Sequence, residues 1–260
     1  MKTAVVTGGS RGIGRGVSLA LSRLGYRICV TGRSKENLET LRTLIEGNGS
    51  QCRYFVCDHN NVQSTIECFE HIGKEYSPDL VVNNAWGGYE QMVQDGTYTW
   101  EAKFWDQPMF RWTSMVDVGV RTAFICSKHC VRSMLERKAG AIVNISFWAA
   151  RHYMQNIIYG VSKAAIDKMS SDMAEELKEY SIPAISLYPG LVRTEAVMAN
   201  ASHFDMSNSE SPEFVGLVAD AFFRDGDNMT KTGGYFTTAE LAEQYGILDE
   251  DGKKIKPRRY

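Results

Sequence analysis

The first regular segment of the chain reads Thr3-Ala4-Val5-Val6-Thr7-Gly8-Gly9-Ser10-Arg11-Gly12-Ile13-Gly14. A short apolar run leads into glycines spaced Gly-x-x-x-Gly-x-Gly, and an amphipathic helical pattern follows. This order is typical of a nucleotide-binding unit: the first glycine permits a tight turn, the second clears space for a pyrophosphate, and the third allows close helix packing. The helix N-terminus adds N–H donors and a partial positive charge. A turn with only a structural role is the alternative. We predict a phosphate-binding loop made by Gly8, Ser10, Arg11, Gly12, Ile13 and Gly14.

The same alternation of short apolar runs and longer helical patterns continues along the chain. Strands are predicted at 3–7, 27–31, 52–57, 79–83, 140–146 and 182–188. Helices are predicted near 12–24, 35–47, 61–75, 114–136, 157–179 and 211–224. Uniformly apolar strands suit a parallel sheet covered on both faces, and repeated strand–helix–strand units give right-handed crossovers. We predict an α/β fold: a Rossmann-type, doubly wound parallel sheet in three α/β/α layers, forming a single domain over residues 1–260.

Composition and charge exclude several classes of function. The 260 residues are 43% hydrophobic and 23% charged, with a net charge of −2, so no basic surface for nucleic acid is indicated. No apolar run approaches the ~18 residues of a membrane span, and because a strand-like stretch starts at Thr3 we expect no signal peptide. The six cysteines contain no C-x-x-C pair. They predict reduced, buried thiols and a cytoplasmic protein, with a metal site or disulfide as the alternative.

The end of the second predicted strand indicates which dinucleotide would bind. A site specific for NAD usually carries an acidic residue there, which accepts hydrogen bonds from the ribose 2′-hydroxyl. This strand instead ends Thr31-Gly32-Arg33, and Arg11 lies in the glycine-rich loop. Two guanidinium groups can bind a 2′-phosphate, whereas a pair of solvated surface arginines is the alternative. We predict NADP(H) as the cofactor.

Further motifs resemble the short-chain dehydrogenase/reductase family over nearly the whole chain. They are Asp58 after the third strand, Asn83-Asn84-Ala85 followed by Trp86, the pair in Tyr159-Gly160-Val161-Ser162-Lys163, Pro189-Gly190 after the sixth strand, and Thr194. The resemblance implies cofactor contacts from Asp58 near the adenine, from Asn84, Ala85, Pro189, Gly190 and Val192, and from Thr194 at the nicotinamide carboxamide. A narrower resemblance, to the member 1 group of that family, lies in Phe104-Trp105, Tyr159-Gly160-Val161, Pro189-Gly190-Leu191-Val192 and the segment 241–246. The resemblance also implies a homodimer or homotetramer formed through the helices at 114–136 and 157–179.

Tyr159 and Lys163 are the predicted catalytic pair. They lie four residues apart on a helical pattern, so their side chains share one face. A free phenol ionises only near pH ~10, and a nearby ammonium and the nicotinamide charge favour the phenolate. Tyr159 can then donate a proton to a carbonyl oxygen or, in reverse, take one from an alcohol. The resemblance implies that Lys163 also holds the nicotinamide ribose, while an ordinary exposed pair is the alternative.

Two positions depart from the family pattern. Ser146 precedes Tyr159 by thirteen residues and would hydrogen-bond the substrate oxygen, but Phe147 stands where many members have the catalytic serine. Either the following loop is one residue shorter and Ser146 takes the role, or its hydroxyl faces elsewhere. Gly119 stands where the family has an asparagine that orders a relay water. We predict a different water arrangement and a modest turnover.

The substrate side is predicted from aromatic residues. An insertion at 86–112 carries Trp86, Tyr89, Tyr98, Trp100, Phe104, Trp105, Phe110 and Trp112. These rings either wall an apolar pocket or simply pack an excursion onto the domain. Trp148 and Tyr153, in the loop before Tyr159, are predicted with Trp86 to contact substrate, and residues 195–210 are predicted to form a mobile lid. A fairly apolar ketone, aldehyde or quinone would suit such walls.

These features together predict an NADP(H)-dependent oxidoreductase that transfers hydride between the nicotinamide and a carbonyl or alcohol carbon. Its partner would be a small-molecule substrate, and no metal is called for. The rival interpretation is an NADP(H)-binding protein with little or no turnover, suggested by Gly119 and the altered serine context. A third keeps the fold and uses the nucleotide for epimerisation or dehydration.

Overall fold

The computed structural model describes residues 1–88, 92–94 and 97–258. Seven parallel strands form one sheet in the order β3-β2-β1-β4-β7-β8-β9, and β5 and β6 form a separate antiparallel hairpin. The strands are β1 Thr3–Val6, β2 Arg27–Gly32, β3 Cys52–Val56, β4 Leu80–Asn83, β5 Val93–Gln94, β6 Thr97–Tyr98, β7 Ala141–Ile145, β8 Ala184–Tyr188 and β9 Tyr235–Thr237. The predicted doubly wound sheet and its six strands are confirmed, and β9 is an addition.

Helices cover both faces of the sheet. They are α1 Gly12–Arg23, α2 Lys35–Gly47, α3 Val62–Tyr76, α4 Phe110–Trp112, α5 Arg121–Arg137, α6 Ile157–Leu177, α7 Glu195–Met198, α8 Pro212–Arg224 and α9 Thr238–Tyr245. Short 3₁₀ turns lie at Trp148–Ala150, Lys178–Tyr180, Ala201–His203, Met206–Asn208, Asn228–Thr230 and Glu250–Gly252. A π-helical segment, Thr113–Val120, joins α4 to α5, so the helix predicted near 114–136 begins at Phe110 instead. Such segments are rare and often occur at functional sites.

The two faces of the sheet bury different side chains of the same strand. Along β1, Ala4 and Val6 pack with α1 and α8, whereas Val5 packs with α3 and α5. This alternation follows from the two-residue period of a strand. Both faces are therefore apolar, which explains why the strands are uniformly hydrophobic in sequence.

Helix α1 is held by α8, which lies near the other end of the chain. A Cβ added to Gly16 would come within 2.2 Å of Pro212 Cβ, so the backbones approach closely. Tyr26, just after α1, donates its hydroxyl to Asp220 Oδ1 of α8 at 2.7 Å. This contact fixes the helix that begins in the glycine-rich loop.

Among the described residues, no helix combines the length and apolar character needed to cross a bilayer. All six cysteines carry free thiols. The described ranges contain no group of three or more His, Cys, Asp or Glu side chains placed to hold a metal ion.

Candidate active site

A cavity of about 790 Å³ opens at the carboxyl ends of the central strands. Parallel α/β sheets bind ligands at this edge. Predicted site residues that line the cavity are Gly8, Ser10, Arg11, Gly12, Ile13, Arg33, Asp58, Asn84, Ala85, Trp86, Ser146, Tyr159, Lys163, Pro189, Gly190, Val192 and Thr194. Residues separated by most of the chain thus line one cavity.

The glycine-rich loop is braced from β4. Gly8 and Gly12 have φ of +65° and +55°, which glycine adopts without strain. Gly14 lies behind the cavity wall, because a Cβ there would meet the Gly8 carbonyl oxygen and Asn84 Nδ2, each at 2.5 Å. Asn84 Nδ2 donates to the carbonyls of Thr7 and Gly8, at 3.0 and 3.2 Å. Asn84 therefore holds the loop in shape as well as lining the cavity.

Glu195 makes a contact with this loop that was not predicted. Its Oε2 accepts a hydrogen bond from the Gly12 backbone N–H at 3.0 Å. The neighbouring Thr194 hydroxyl accepts from the N–H of Val197 at 3.3 Å and so caps α7. Both side chains are engaged with protein groups at the place predicted for the cofactor phosphates and nicotinamide.

The segment 195–210, predicted as a mobile lid, is anchored at both ends. Arg193 N–H donates to the Glu210 carbonyl at 2.8 Å, and Glu210 N–H donates to the Leu191 carbonyl at 2.9 Å. The buried Glu210 carboxylate accepts from Thr238 Oγ1 at 2.7 Å, and burial raises the pKa of Glu210 to about 7. The role of residues 195–210 as a lid stays a prediction.

The other end of the cavity contains Arg11, Arg33 and Asp58. Asp58 Oδ1 accepts from the backbone N–H and the side-chain amide of Asn60, at 3.1 and 2.9 Å. The adjacent His59 is buried, with its Nε2 2.9 Å from Thr31 Oγ1. These contacts fix the turn after β3 beside the two arginines.

Tyr159 and Lys163 lie on the first turns of α6 and face the cavity. Lys163 Nζ donates to the Ile145 carbonyl of β7 at 3.1 Å. Burial lowers the pKa of Lys163 to about 8, and the field of Asp167 opposes that shift. Helix α6 begins at the buried Asn156, whose side chain accepts from the Tyr159 N–H at 3.0 Å.

Within the part of the chain that the structure describes, three aromatic rings pack around Tyr159, which is only 5% exposed. Ring centroids lie 5.2 Å from Trp86, 5.4 Å from Trp100 and 6.0 Å from Phe147. Within the insertion, Trp86 lines the cavity, whereas Trp100 packs on Tyr159 without lining it. Phe104 and Trp105, by contrast, are 63% and 69% exposed, and Tyr89 lies outside the described residues.

Ser146 lines the cavity, but its hydroxyl donates to the backbone carbonyl of Lys163 at 3.3 Å. Phe147, next along the chain, stacks on Tyr159. Gly119 lies on the π-helical segment beside Trp86, and Asp117 faces Arg121 at 3.7 Å. The substrate role of Ser146 therefore stays a prediction.

Trp148 and Tyr153 are not among the residues that line this cavity, and their contact with substrate stays a prediction. The turn at Trp148–Ala150 directs Trp148 to the ends of β8 and β9, where its ring lies 5.5 Å from Tyr188 and 6.3 Å from Tyr235. Tyr153 is 74% exposed. The loop thus brings Phe147, which was not among the predicted contacts, to the site.

Comparisons with known proteins agree with the fold. The family model "short chain dehydrogenase" matches residues 2–204. Mouse "Dehydrogenase/reductase SDR family member 1" is 33% identical over 270 residues, covering 98% of this chain and 85% of that protein. A putative NAD(P) dependent gluconate 5-dehydrogenase from Beutenbergia cavernae, solved with NADP, superposes with a TM-score of 0.77 at 22% identity, covering 91% and 94% of the chains. A 3-oxoacyl-[acyl-carrier protein] reductase from Brucella melitensis, solved with NAD, gives 0.76 at 24% identity, covering 91% and 88%.

Proposed function

The chain belongs to the short chain dehydrogenase family, and from that premise we propose that it is an NADP(H)-dependent oxidoreductase acting on a carbonyl or alcohol carbon. The observation that carries the proposal is the position of Tyr159 and Lys163. Their side chains meet in the same cavity as the glycine-rich loop. A proton donor and a dinucleotide site in one cavity are what hydride chemistry requires.

The cavity residues fit a dinucleotide along its length. Backbone N–H groups at Gly12–Gly14 would hold the phosphates, because the N-terminus of α1 begins there. Asp58 would lie at the adenine, and Lys163 at the nicotinamide ribose. When bound, the nicotinamide supplies or accepts the hydride.

The choice of NADP(H) over NAD(H) rests on this chain's own residues, since its solved structural neighbours hold either cofactor. Arg11 and Arg33 both line the cavity beside the end of β2. The cavity-lining residues described at that strand end and on α2 are Gly32, Arg33, Asn37 and Thr40, none of them acidic. Guanidinium groups bind a 2′-phosphate, and no carboxylate in that set would repel it.

The step carried out by this chain's own residues is the transfer of one proton. In reduction, Tyr159 Oη donates its proton to the substrate carbonyl oxygen, and in oxidation the phenolate takes it from the alcohol. The Lys163 ammonium stabilises the phenolate through its charge, which acts strongly because the site is buried. The rings of Trp86, Trp100 and Phe147 limit water around Tyr159 and favour an apolar ketone, aldehyde or quinone.

A second candidate function is NADP(H) binding with little turnover. Two observations favour this candidate. The Ser146 hydroxyl donates its hydrogen bond to the Lys163 backbone carbonyl, and Gly119 has no side chain. Both features weaken the stabilisation of a substrate oxygen and the delivery of protons.

Turnover with both cofactors separates these candidates. The purified protein should reduce apolar ketones, aldehydes or quinones with NADPH at a kcat/KM at least tenfold above that with NADH. Tyr159→Phe should retain NADPH binding while kcat falls on the order of 10²–10⁴-fold, the usual contribution of acid–base catalysis. Tight NADPH binding without turnover across the panel, unchanged in Tyr159→Phe, would instead support the binding protein. A preference for NADH would contradict the cofactor assignment.

A further inference from the structure

The Trp86 indole occupies a slot whose two edges are glycines. A Cβ added to Gly119 would lie 2.9 Å from Trp86 Cδ1, and one added to Gly88 would lie 2.2 Å from Trp86 Cζ2. Neither position can carry a side chain without displacing the ring. Gly119 therefore has a positive steric role: it makes room for Trp86.

The backbone around the indole is fixed to the π-helical segment and its neighbour. The Gly87 N–H donates to the Ser114 carbonyl at 3.2 Å. The Gly88 carbonyl accepts from Arg111 Nη1 at 3.4 Å, and Arg111 is fully buried. The backbone that follows Trp86 is thus fixed by two hydrogen bonds, which restrict the orientation of the indole.

One face of this indole is turned to Lys163. The Nζ atom lies 4.9 Å from the Trp86 ring centroid, within the range of a cation–π contact. The other ring near that nitrogen is Tyr159, whose centroid is 6.0 Å away. The Ile145 carbonyl of β7 accepts from the same nitrogen.

We propose that Trp86 is a positioning residue for the proposed proton transfer, its indole holding the Lys163 ammonium over one face beside Tyr159. The inference rests on the proposed function for its catalytic consequence, but the contact itself is a property of the protein alone. It reassigns Trp86 from a substrate contact to the support of Lys163. It also gives a reason for glycine at position 119.

The groups around Lys163 set its pKa, and the indole contributes to that pKa along with them. Asp167, on the same helix, raises the pKa of Lys163, whereas burial lowers it to about 8. Tyr159 is the neighbouring titratable group on α6, and on the π-helical segment Asp117 lies against Arg121. An aromatic face favours the ammonium over the amine. Weakening that face should therefore lower the pKa of Lys163 further.

Fluorinated tryptophans at position 86 test the contact with little change of shape. Fluorine withdraws electron density from the ring face, so each added fluorine should lower the pKa of Lys163, by a total of roughly 0.5–1 unit. We would follow the ¹³Cε resonance of Lys163, assigned by its loss in Lys163→Met, through a pH titration without cofactor. The basic limb of the kcat profile should move to lower pH in parallel. An unchanged Lys163 titration across the fluorinated series would overturn the proposal.

A pair of conventional variants tests the slot. Gly119→Ala should displace the indole, lower the pKa of Lys163 and reduce kcat on the order of tenfold. Combining it with Trp86→Phe, whose smaller ring fits beside a methyl group, should recover part of both losses. Gly47→Ala is the matched control, because nothing lies within 4 Å of the added Cβ. A double variant no better than Gly119→Ala would contradict the steric coupling.

The two proposals fail differently. If the unmodified protein shows no turnover, the proposed function fails while the Lys163 titration still decides whether Trp86 holds the ammonium. If turnover is present but fluorination changes neither the Lys163 titration nor the pH profile of kcat, the proposed role of Trp86 is wrong and the proposed function stands.

Discussion

Glu195 presents a carboxylate to the Gly12 N–H, a donor that a bound phosphate would need. A carboxylate and a phosphate repel each other and compete for the same hydrogen. We expect Glu195→Gln and Glu195→Ala to bind NADPH about two- to five-fold more tightly, as removing one exposed charge near a helix N-terminus would give. Titration of NADPH fluorescence measures the change.

The control for this prediction is Glu75→Gln, an exposed acid on α3 away from the cavity, which should leave NADPH affinity unchanged. Weaker binding in both Glu195 variants would mean that this carboxylate supports the cofactor rather than competes with it.

At the residue scale, motifs tied to a strand end were predictable and contacts between loops were not. The glycine-rich loop, Tyr159 and Lys163 each follow or face a strand end, and the parallel sheet brings all strand ends to one edge. A single 3₁₀ turn separates Phe147, which stacks on Tyr159, from Trp148, which packs against Tyr188, and no local pattern indicates that turn. Glu195 meets Gly12 only through the tertiary fold, so no local pattern indicates that contact.

Among the elements, α6 depends on Asn156, the residue that caps its N-terminus. The Asn156 side chain accepts from the Tyr159 N–H and donates through Nδ2 to the Trp100 carbonyl at 2.9 Å. It thus caps the helix that carries Tyr159 and ties it to the insertion. Asn156→Ala should lower the free energy of unfolding by about 1–3 kcal/mol and reduce kcat, because its side-chain hydrogen bonds to Tyr159, Trp100 and Gln107 are lost.

Urea unfolding and steady-state kinetics test this prediction. Asn156→Asp keeps the acceptor for the Tyr159 N–H. Its free energy of unfolding and its kcat should lie between those of the unmodified protein and those of Asn156→Ala. Asn61→Ala removes the equivalent cap of α3, where Asn61 Oδ1 accepts from Ser64 N–H at 2.9 Å, and should cost about 1 kcal/mol with kcat unchanged. Equal loss of kcat in Asn61→Ala would show that the effect is general destabilisation.

Elements with a clear period were predicted well, and short ones were missed. The six predicted strands are long enough to show apolar runs, whereas β9 has three residues. Helix α9 does carry a local signal in its sequence, because Thr237 and Glu240 form a capping box. The π-helical segment has no such local signature, and its Gly119 lies against Trp86, which is distant in sequence.

At the scale of the whole molecule, burying the Lys163 ammonium lowers the free energy of unfolding. Its pKa falls from the usual 10.5 to about 8 on folding, so the unfolded chain binds more protons between those values. Stability from this group therefore rises with pH across that window, and the full cost applies below pH 8. Lys163→Met should stabilise the protein by about 1–3 kcal/mol at pH 7, less the lost bond to Ile145, and the gain should vanish above pH 10.5.

Urea unfolding at pH 7 and pH 10 measures this difference. Lys168→Met, on the same helix but with a side chain 74% exposed, is the control and should show no comparable change with pH. A Lys163→Met variant destabilised equally at both pH values would contradict the burial cost.

The contact between α1 and α8 has a consequence for biosynthesis. The closely approaching backbones at Gly16 and Pro212 come from opposite ends of the chain. While the ribosome is still translating, the first βα unit has emerged but the helix that covers it has not, and its apolar face is exposed to solvent and chaperones. A nascent chain arrested before residue 212 should be digested by protease in this region, and protection should arrive only once α8 has left the exit tunnel.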